Sequence, residues 1–325
     1  MVTNTTSDHI IIKANELTKE LGGQVAVRDL TFEIPRGVVF GLIGPSGAGK
    51  TTTIRLLTGI YAPTAGELTV LGRRPSFFTR RERERIGYMA QFFNLYPDLT
   101  VWENLNFSAS LYGLSPRRGK RLNELLEFVE LKEHKSKRAR ELSGGMQRRL
   151  NLAATLVHEP DLIFLDEPTT GLDPILREKL WGAFRRLRDE GRTLLVTTQY
   201  MGEAVACDLI GVLSDQRLIQ VATPQGLRHA ALGGDVIDLV AEENLSYQQL
   251  QELRLLPFVR HVARLAGDNS VRLIVDEAGA ASPVLSEWGR AQQLTLKTVE
   301  EYVPPFDEVF VTLIKQQKQQ EQKRD

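Results

Sequence analysis

Val38-Val39-Phe40-Gly41-Leu42-Ile43-Gly44-Pro45-Ser46-Gly47-Ala48-Gly49-Lys50-Thr51 decides how this chain is read. The first six residues form an apolar run of strand length, and the last eight fit the phosphate-cradling pattern G-x-x-x-x-G-K-[ST]. Glycines let the backbone turn tightly enough to aim several N–H groups at one anion, and a helix beginning near Lys50 adds the positive end of its dipole. The stretch therefore implies binding of a nucleotide polyphosphate. Lys50 supplies a point charge for the β- and γ-phosphates, and the Thr51 hydroxyl is a hard oxygen placed for Mg2+. Thr52 belongs to the same candidate binding set. The bland alternative is a glycine-rich turn without function; a complete match directly behind a strand opposes it.

Working outward, 325 residues with 42% hydrophobic and 25% charged side chains suit a globular protein with a large core and a second domain. Lys+Arg and Asp+Glu both number 41, so no global field recruits nucleic acid or an anionic membrane. No apolar run reaches transmembrane length, and Met1 to His9 lacks the apolar stretch of a signal peptide, so a cytosolic chain is expected. The single cysteine, Cys207, excludes an internal disulfide and reads as a small core residue.

Strand patterns at Ile10 to Lys13, Val25 to Ile34 and Gly66 to Leu71 surround the phosphate loop. The run Arg80-Arg81-Glu82-Arg83-Glu84-Arg85 reads as a solvated helical face. Helical periodicity takes over from Val101 to about Val157, with Leu122, Leu125, Leu126 and Val129 on one face. Strand signals return at Leu162 to Leu165, Thr193 to Thr198 and Leu209 to Leu213, with helices near Ile175 to Glu190 and Met201 to Cys207. The alternation predicts an α/β fold with a mainly parallel sheet covered on both faces and an antiparallel N-terminal β subdomain. From Gly233 the pattern becomes β-α-β-β-α-β, the ferredoxin-like order, followed by an amphipathic segment from Phe306 to Ile314. The expected organisation is a disordered 1–9, a main domain 10–232 with a helical insertion at about 92–157, a small α+β domain 233–314 and a polar tail 315–325.

Leu162-Ile163-Phe164-Leu165-Asp166-Glu167 is an apolar strand ending in two carboxylates, at the sheet edge where the phosphate loop also lies. Asp166 is expected to hold Mg2+ through water, and Glu167 to polarise a water for in-line attack on the γ-phosphate. Leu142-Ser143-Gly144-Gly145-Met146-Gln147 offers a second anion site: Ser143 caps the following helix, while Gly144 and Gly145 permit close backbone approach.

Together these motifs resemble those of ABC-type ATPases, over roughly Ile10 to Ala231. The resemblance implies a P-loop NTPase core and ATP as the nucleotide. It also implies a head-to-tail homodimer, or paired ATPase subunits, in which Ser143, Gly144 and Gly145 of one subunit close on the γ-phosphate held by the other. Gln91 matches the loop whose amide reaches Mg2+ and the attacking water, and Asp173, in Gly171-Leu172-Asp173-Pro174, matches the loop that contacts the opposite subunit. Phe92 to Leu105 corresponds to the segment that docks a transmembrane partner. Two positions depart from the pattern. Gln199 stands where the switch residue is usually histidine; glutamine can still donate to a γ-phosphate oxygen, as in the drug-resistance exporter branch. Leu21 stands where an adenine-stacking aromatic is expected, giving area without π-stacking.

The C-terminal extension ending in Pro304-Pro305-Phe306-Asp307-Glu308-Val309-Phe310 is similar to ATPases that serve ABC-2-type permeases. The implied role is a Mg2+-dependent ATPase subunit of an exporter, peripheral on the cytoplasmic side of the membrane, with no nucleic acid partner. Two rivals stay open. A soluble mechanochemical ABC protein is opposed by the neutral charge and the single ATPase unit, and a non-catalytic nucleotide sensor is opposed by the intact Glu167.

Overall fold

The computed structural model describes residues 9–91 and 95–322, divided into two compact units, one ending at Val221 and one beginning at Ala222. The strands of the first are β1 (Ile10–Leu21), β2 (Gln24–Pro35), β3 (Val39–Ile43), β4 (Ala65–Val70), β5 (Ile86–Met89), β6 (Leu162–Asp166), β7 (Thr193–Thr198), β8 (Leu209–Ser214) and β9 (Arg217–Ala222). Its helices are α1 (Lys50–Leu57), α2 (Arg80–Arg83), α3 (Val101–Leu111), α4 (Gly119–Phe128), α5 (Gly144–Leu156) and α6 (Pro174–Asp189).

The principal sheet has the order β5-β6-β7-β3-β8-β9, with parallel pairing from β5 through β8. Every residue of β3, β6 and β7 is buried, as expected for central strands covered on both faces. Asp215 and Gln216 both adopt positive φ, 47° and 59°, and close a two-residue turn into β9. Cys207 packs so close to β3 that a Cβ on Gly41 would lie 2.6 Å from its sulfur, and burial pushes its thiol pKa far up. It is a core residue, as its apolar context indicates.

A second, antiparallel sheet runs β2-β1-β4. Strand β1 extends to Leu21, well past the expected Lys13, because an irregularity at Glu16, with φ of 49°, restores inward alternation so that Leu17 is fully buried. Ile12, Leu17 and Leu30 of this sheet share one core with Phe40, Leu42, Phe164 and Leu195 of the principal sheet.

Between β5 and β6 lie α3, α4 and α5. Thr100 and Glu103 form a reciprocal capping box at the start of α3, and buried Asn104 donates to the carbonyls of Tyr96, Leu99 and Thr100. The apolar face of α4 buries Leu122, Leu125 and Leu126. The expected helix at Met201 is a short 3-10 segment, Met201–Ala206.

The second unit starts with α7 (Pro224–Leu232), followed by β10 (Asp235–Ala241), α8 (Tyr247–Leu255), β11 (Val259–Arg264), β12 (Ser270–Val275), α9 (Ala278–Ala291), β13 (Leu296–Glu301) and α10 (Phe306–Gln322). Its antiparallel sheet has the order β11-β12-β10-β13, so the first and third strands of the β-α-β-β-α-β unit are central, the ferredoxin-like arrangement. The boundary falls eleven residues before Gly233, since α7 packs on β10 and α10 and belongs to this unit. Residues 315–322, part of the polar tail expected to be a frayed helix or disordered, continue α10: glutamine and lysine are good helix formers, and the Gln316 amide donates to the Ala231 carbonyl at 2.9 Å. The expected disorder of 1–9 concerns residues that, apart from His9, lie outside the described ones.

Candidate functional site

The parallel register sets the site. Ile43 pairs with Thr198 and Val212, and Asp166 pairs with Thr197, so the phosphate loop and the two carboxylates leave the sheet at one edge. Two glycines of the loop are sterically required. A Cβ on Gly44 would lie 2.1 Å from the Leu213 carbonyl oxygen. On Gly49, whose φ is 106°, it would meet the Ala26 carbonyl oxygen and Val27 at 2.6 Å. Gly49 is also the N-cap of α1, so its left-handed turn aims the first amides of the helix into the loop.

Lys50 is 4% exposed, and its Nζ donates to the carbonyls of Gly44 at 2.9 Å and Pro45 at 3.0 Å. The same ammonium lies 3.4 Å from Glu167 Oε1. Ser46, Gly47, Gly49, Lys50, Thr51 and Thr52 line a cleft of about 440 Å³ together with Gln91 and Glu167. Ala48 is buried beneath it. Leu21, Gln24, Val25, Ala26 and Gln216 form the opposite wall, and no aromatic side chain is among the lining residues. Leu21 thus stands in the cleft as an aliphatic surface, in the place where the resemblance implied a stacking ring.

Asp166 is 1% exposed. Its Oδ1 accepts from Thr197 at 2.7 Å and from Thr51 at 3.2 Å, whereas its buried Oδ2 has no hydrogen-bond partner. Burial pushes the carboxyl pKa up, and the two hydroxyl donors offset this in part. Glu167 takes a left-handed backbone, φ 48°, and its amide donates to the Thr197 hydroxyl at 2.9 Å. Its Oε2 accepts from Gln91 Nε2 at 3.3 Å and from the Thr170 hydroxyl at 3.2 Å. A carboxylate held through both oxygens at the cleft wall is oriented for taking a proton.

A buried carboxylate with one unpaired oxygen, whose other oxygen accepts from the Thr51 hydroxyl, suits a hard divalent cation, and Gln91 lines the same cleft as Thr51. No cluster of three or more His, Cys, Asp or Glu that could hold a metal occurs among the described residues; a site completed by phosphate oxygens and water needs none.

The other expected residues lie elsewhere. Ser143 is exposed and caps α5, accepting from the Met146 amide at 3.3 Å, and Gly144 beside it has open space where a Cβ would stand. Gly145 packs closely on α6: a Cβ there would lie 2.7 Å from a terminal methyl of Leu176. Asp173 is exposed and caps α6, accepting from the amides of Ile175 and Leu176 at 3.0 Å. Gln199 is exposed just beyond β7 and does not line the cleft. None of these five residues lines the cleft of the phosphate loop. Phe92 and Phe93 lie outside the described residues, while Trp102 is half-buried and Tyr96 is 50% exposed.

Two residues escaped the sequence reading, Thr197, which bridges Asp166 and the Glu167 amide, and Arg148. Arg148 of α5 is 6% exposed and donates to the carbonyls of Gln91 at 2.9 Å and Thr170 at 3.2 Å. An arginine directly after Gln147 reads as helix surface, and only the tertiary fold turns it inward.

Comparison with known proteins gives the family. The Nod factor export ATP-binding protein I of Burkholderia orbicola (strain AU 1054) is 38% identical over 267 residues, covering 82% of this chain and 86% of that protein. This chain belongs to the ABC transporter ATP-binding family. The family described as ABC transporter matches residues 27–170, from β2 to the turn after Glu167. The probable multidrug ABC transporter ATP-binding protein YbhF of Escherichia coli (strain K12) is 40% identical over 239 residues, 73% of this chain, and the chain spans only 41% of that protein's length. Among solved structures, the ATP binding subunit of an ABC transporter superposes with a TM-score of 0.62 at 29% identity, covering 68% of this chain and 92% of that one. The ATP-binding cassette MJ0796, in a dimeric post-hydrolysis state bound to ADP and Pi, superposes with a TM-score of 0.60 at 28% identity, covering 65% and 98%. The ABC family is one of ATP-binding domains that generally hydrolyse ATP, and no described helix of this member is long and apolar enough to cross a membrane.

Proposed function

We propose that this chain is the Mg2+-dependent ATP-hydrolysing subunit of an ABC exporter, working as a head-to-tail homodimer beneath a separate ABC-2-type permease on the cytoplasmic side of the membrane. The observation that carries the reading is the convergence of Lys50, Gln91 and Glu167 on one cleft, with buried Asp166 beneath it. Ser143 and Gly144 stand exposed at the start of a helix and do not line that cleft, which supports a site completed by a second chain. The name of the Burkholderia relative supports export as the transported direction, and that of the Escherichia coli relative supports a transport role.

In this reading the phosphate-loop amides and Lys50 bind the triphosphate, drawing the ammonium from the loop carbonyls and Glu167 toward the β- and γ-phosphates. Thr51, Asp166 and Gln91 would hold Mg2+, which when bound neutralises charge on the phosphates. Glu167 accepts a proton from the attacking water, oriented by Gln91 and Thr170. Gln199 donates its amide to a γ-phosphate oxygen.

Gln199 also discriminates the sensor alternative, which its exposure outside the cleft favours. A working donor to a charged phosphate is worth about 1.5–3 kcal/mol, so Gln199→Ala should lower kcat roughly tenfold to hundredfold in the permease complex, with Gln199→His active. A lapsed position would leave kcat unchanged by either substitution.

The docking surface gives a further expected result. Tyr96 and Phe107 meet edge to face at 4.7 Å and are 50% and 37% exposed, and Leu111 is 70% exposed. Such a patch next to a helical insertion suits an apolar partner. Tyr96→Ala should abolish co-purification with the permease and leave ATP affinity unchanged in equilibrium binding. Loss of ATP binding with an intact complex would count against the docking role.

A further inference from the structure

Glu167 is held by two donors on its Oε2, Gln91 and Thr170, and these come from different segments: one follows β5, the other closes the turn after β6. Both main chains are fixed by one side chain. Arg148 donates one terminal nitrogen to the Gln91 carbonyl at 2.9 Å and the other to the Thr170 carbonyl at 3.2 Å. Burying a guanidinium is costly, and burial lowers its pKa here while Glu167 partly restores it. The planar fork is suited to this role because its two ends set the spacing of two acceptors at once. We propose that Arg148 is a positioning residue for the Glu167 carboxylate, coupling α5 to the hydrolytic end of the cleft.

Arg148 lies five residues after Ser143 on the helix that Ser143 caps, roughly one and a half turns along it. Any shift of α5 when its exposed N-terminus meets a second chain therefore moves the guanidinium, and with it both donors to Glu167. In this arrangement the half-site a subunit lends to its partner reports back to the half-site it keeps. This inference rests on Glu167 being the proton acceptor.

The test uses the full chain with Mg2+-ATP. Arg148→Met should lower kcat about tenfold to hundredfold, since misplacing a catalytic group by about 1 Å costs on that order, while the ATP dissociation constant stays within about twofold. Arg148→Lys, which keeps one donor, should fall between Met and wild type and serves if the Met variant does not fold. Thr170→Val removes one donor to Glu167 directly, so the double variant Arg148→Met/Thr170→Val should be no slower than the slower single variant. A purely structural arginine predicts multiplicative losses, or a loss of ATP affinity parallel to the loss of kcat. Folded Arg148 variants with wild-type kcat, or multiplicative losses, overturn the proposal. The Glu167→Gln control separates the two claims: if it retains turnover, the assignment of Glu167 has failed, whatever Arg148 does.

Discussion

Glu167→Gln is expected to lower phosphate release by about a hundredfold to ten-thousandfold, the usual contribution of a general base, while leaving ATP bound. The substitution preserves shape and the oxygen that faces Gln91 or Thr170, but removes the group that accepts the proton. Lys50 loses a counter-charge 3.4 Å away and keeps both loop carbonyls, so the phosphate cradle stays intact. Since ATP then persists, the closed pair of chains should persist with it. Size-exclusion chromatography of the variant with ATP should show a dimer absent without nucleotide, because a ligand that binds the associated form more tightly than the single chain shifts the equilibrium by mass action. Near wild-type turnover in this variant would remove Glu167 from the mechanism.

Lys50→Ala has the opposite signature. Hydrogen bonds to charged groups are worth about 1.5–3 kcal/mol each, so ATP affinity should fall roughly tenfold to hundredfold or more, and turnover with it. The loss has a structural part as well. Without the ammonium, the carbonyls of Gly44 and Pro45 lose a donor and the buried Glu167 carboxylate loses its neighbouring positive charge. Thermal unfolding without nucleotide should therefore occur at lower temperature than in the wild type, a shift that Glu167→Gln should not reproduce. Isothermal titration with a slowly hydrolysed ATP analogue, beside a melting curve, separates the two variants. Unchanged affinity in Lys50→Ala would mean that this lysine props the loop and does not bind phosphate.

The fold was legible wherever its causes are local in sequence. The buried run through Ile43, the glycines at Gly44 and Gly49, and the acids closing β6 are contiguous, so their positions at the parallel sheet edge followed from pattern alone. The ferredoxin-like order was legible for the same reason, since each strand and helix of the second unit carries its own periodicity. What stayed hidden depends on distant partners. Nothing near Glu16 signals that β1 resumes beyond it, because the bulge is defined by pairing with β2 and β4. The assignment of α7 to the second unit rests on packing against β10 and α10, which no boundary signal at Thr223 reveals. Arg148 is the clearest case: its acceptors are main-chain carbonyls 57 and 22 residues away, and a carbonyl has no residue identity to read.

At the candidate site the residues sort in the same way. Lys50, Thr51, Gln91, Asp166 and Glu167 form a connected set of hydrogen bonds and ion pairs, with Thr197 as an unread member bridging Asp166 and the Glu167 amide. Ser143, Asp173 and Gln199 stay apart from it in the single chain. Helix capping by Ser143 and Asp173 accounts for their side-chain bonds here, so their expected contact with nucleotide or partner depends on an assembly that one chain cannot display.

The central claim is that hydrolysis requires two copies of this chain to complete each site, and phosphate release measured against protein concentration tests it most directly. With saturating ATP and Mg2+, turnover per chain should rise with concentration until the dimer saturates, and EDTA should abolish it at every concentration. Turnover per chain that is independent of concentration down to the lowest measurable level, or that persists in EDTA, would contradict the account.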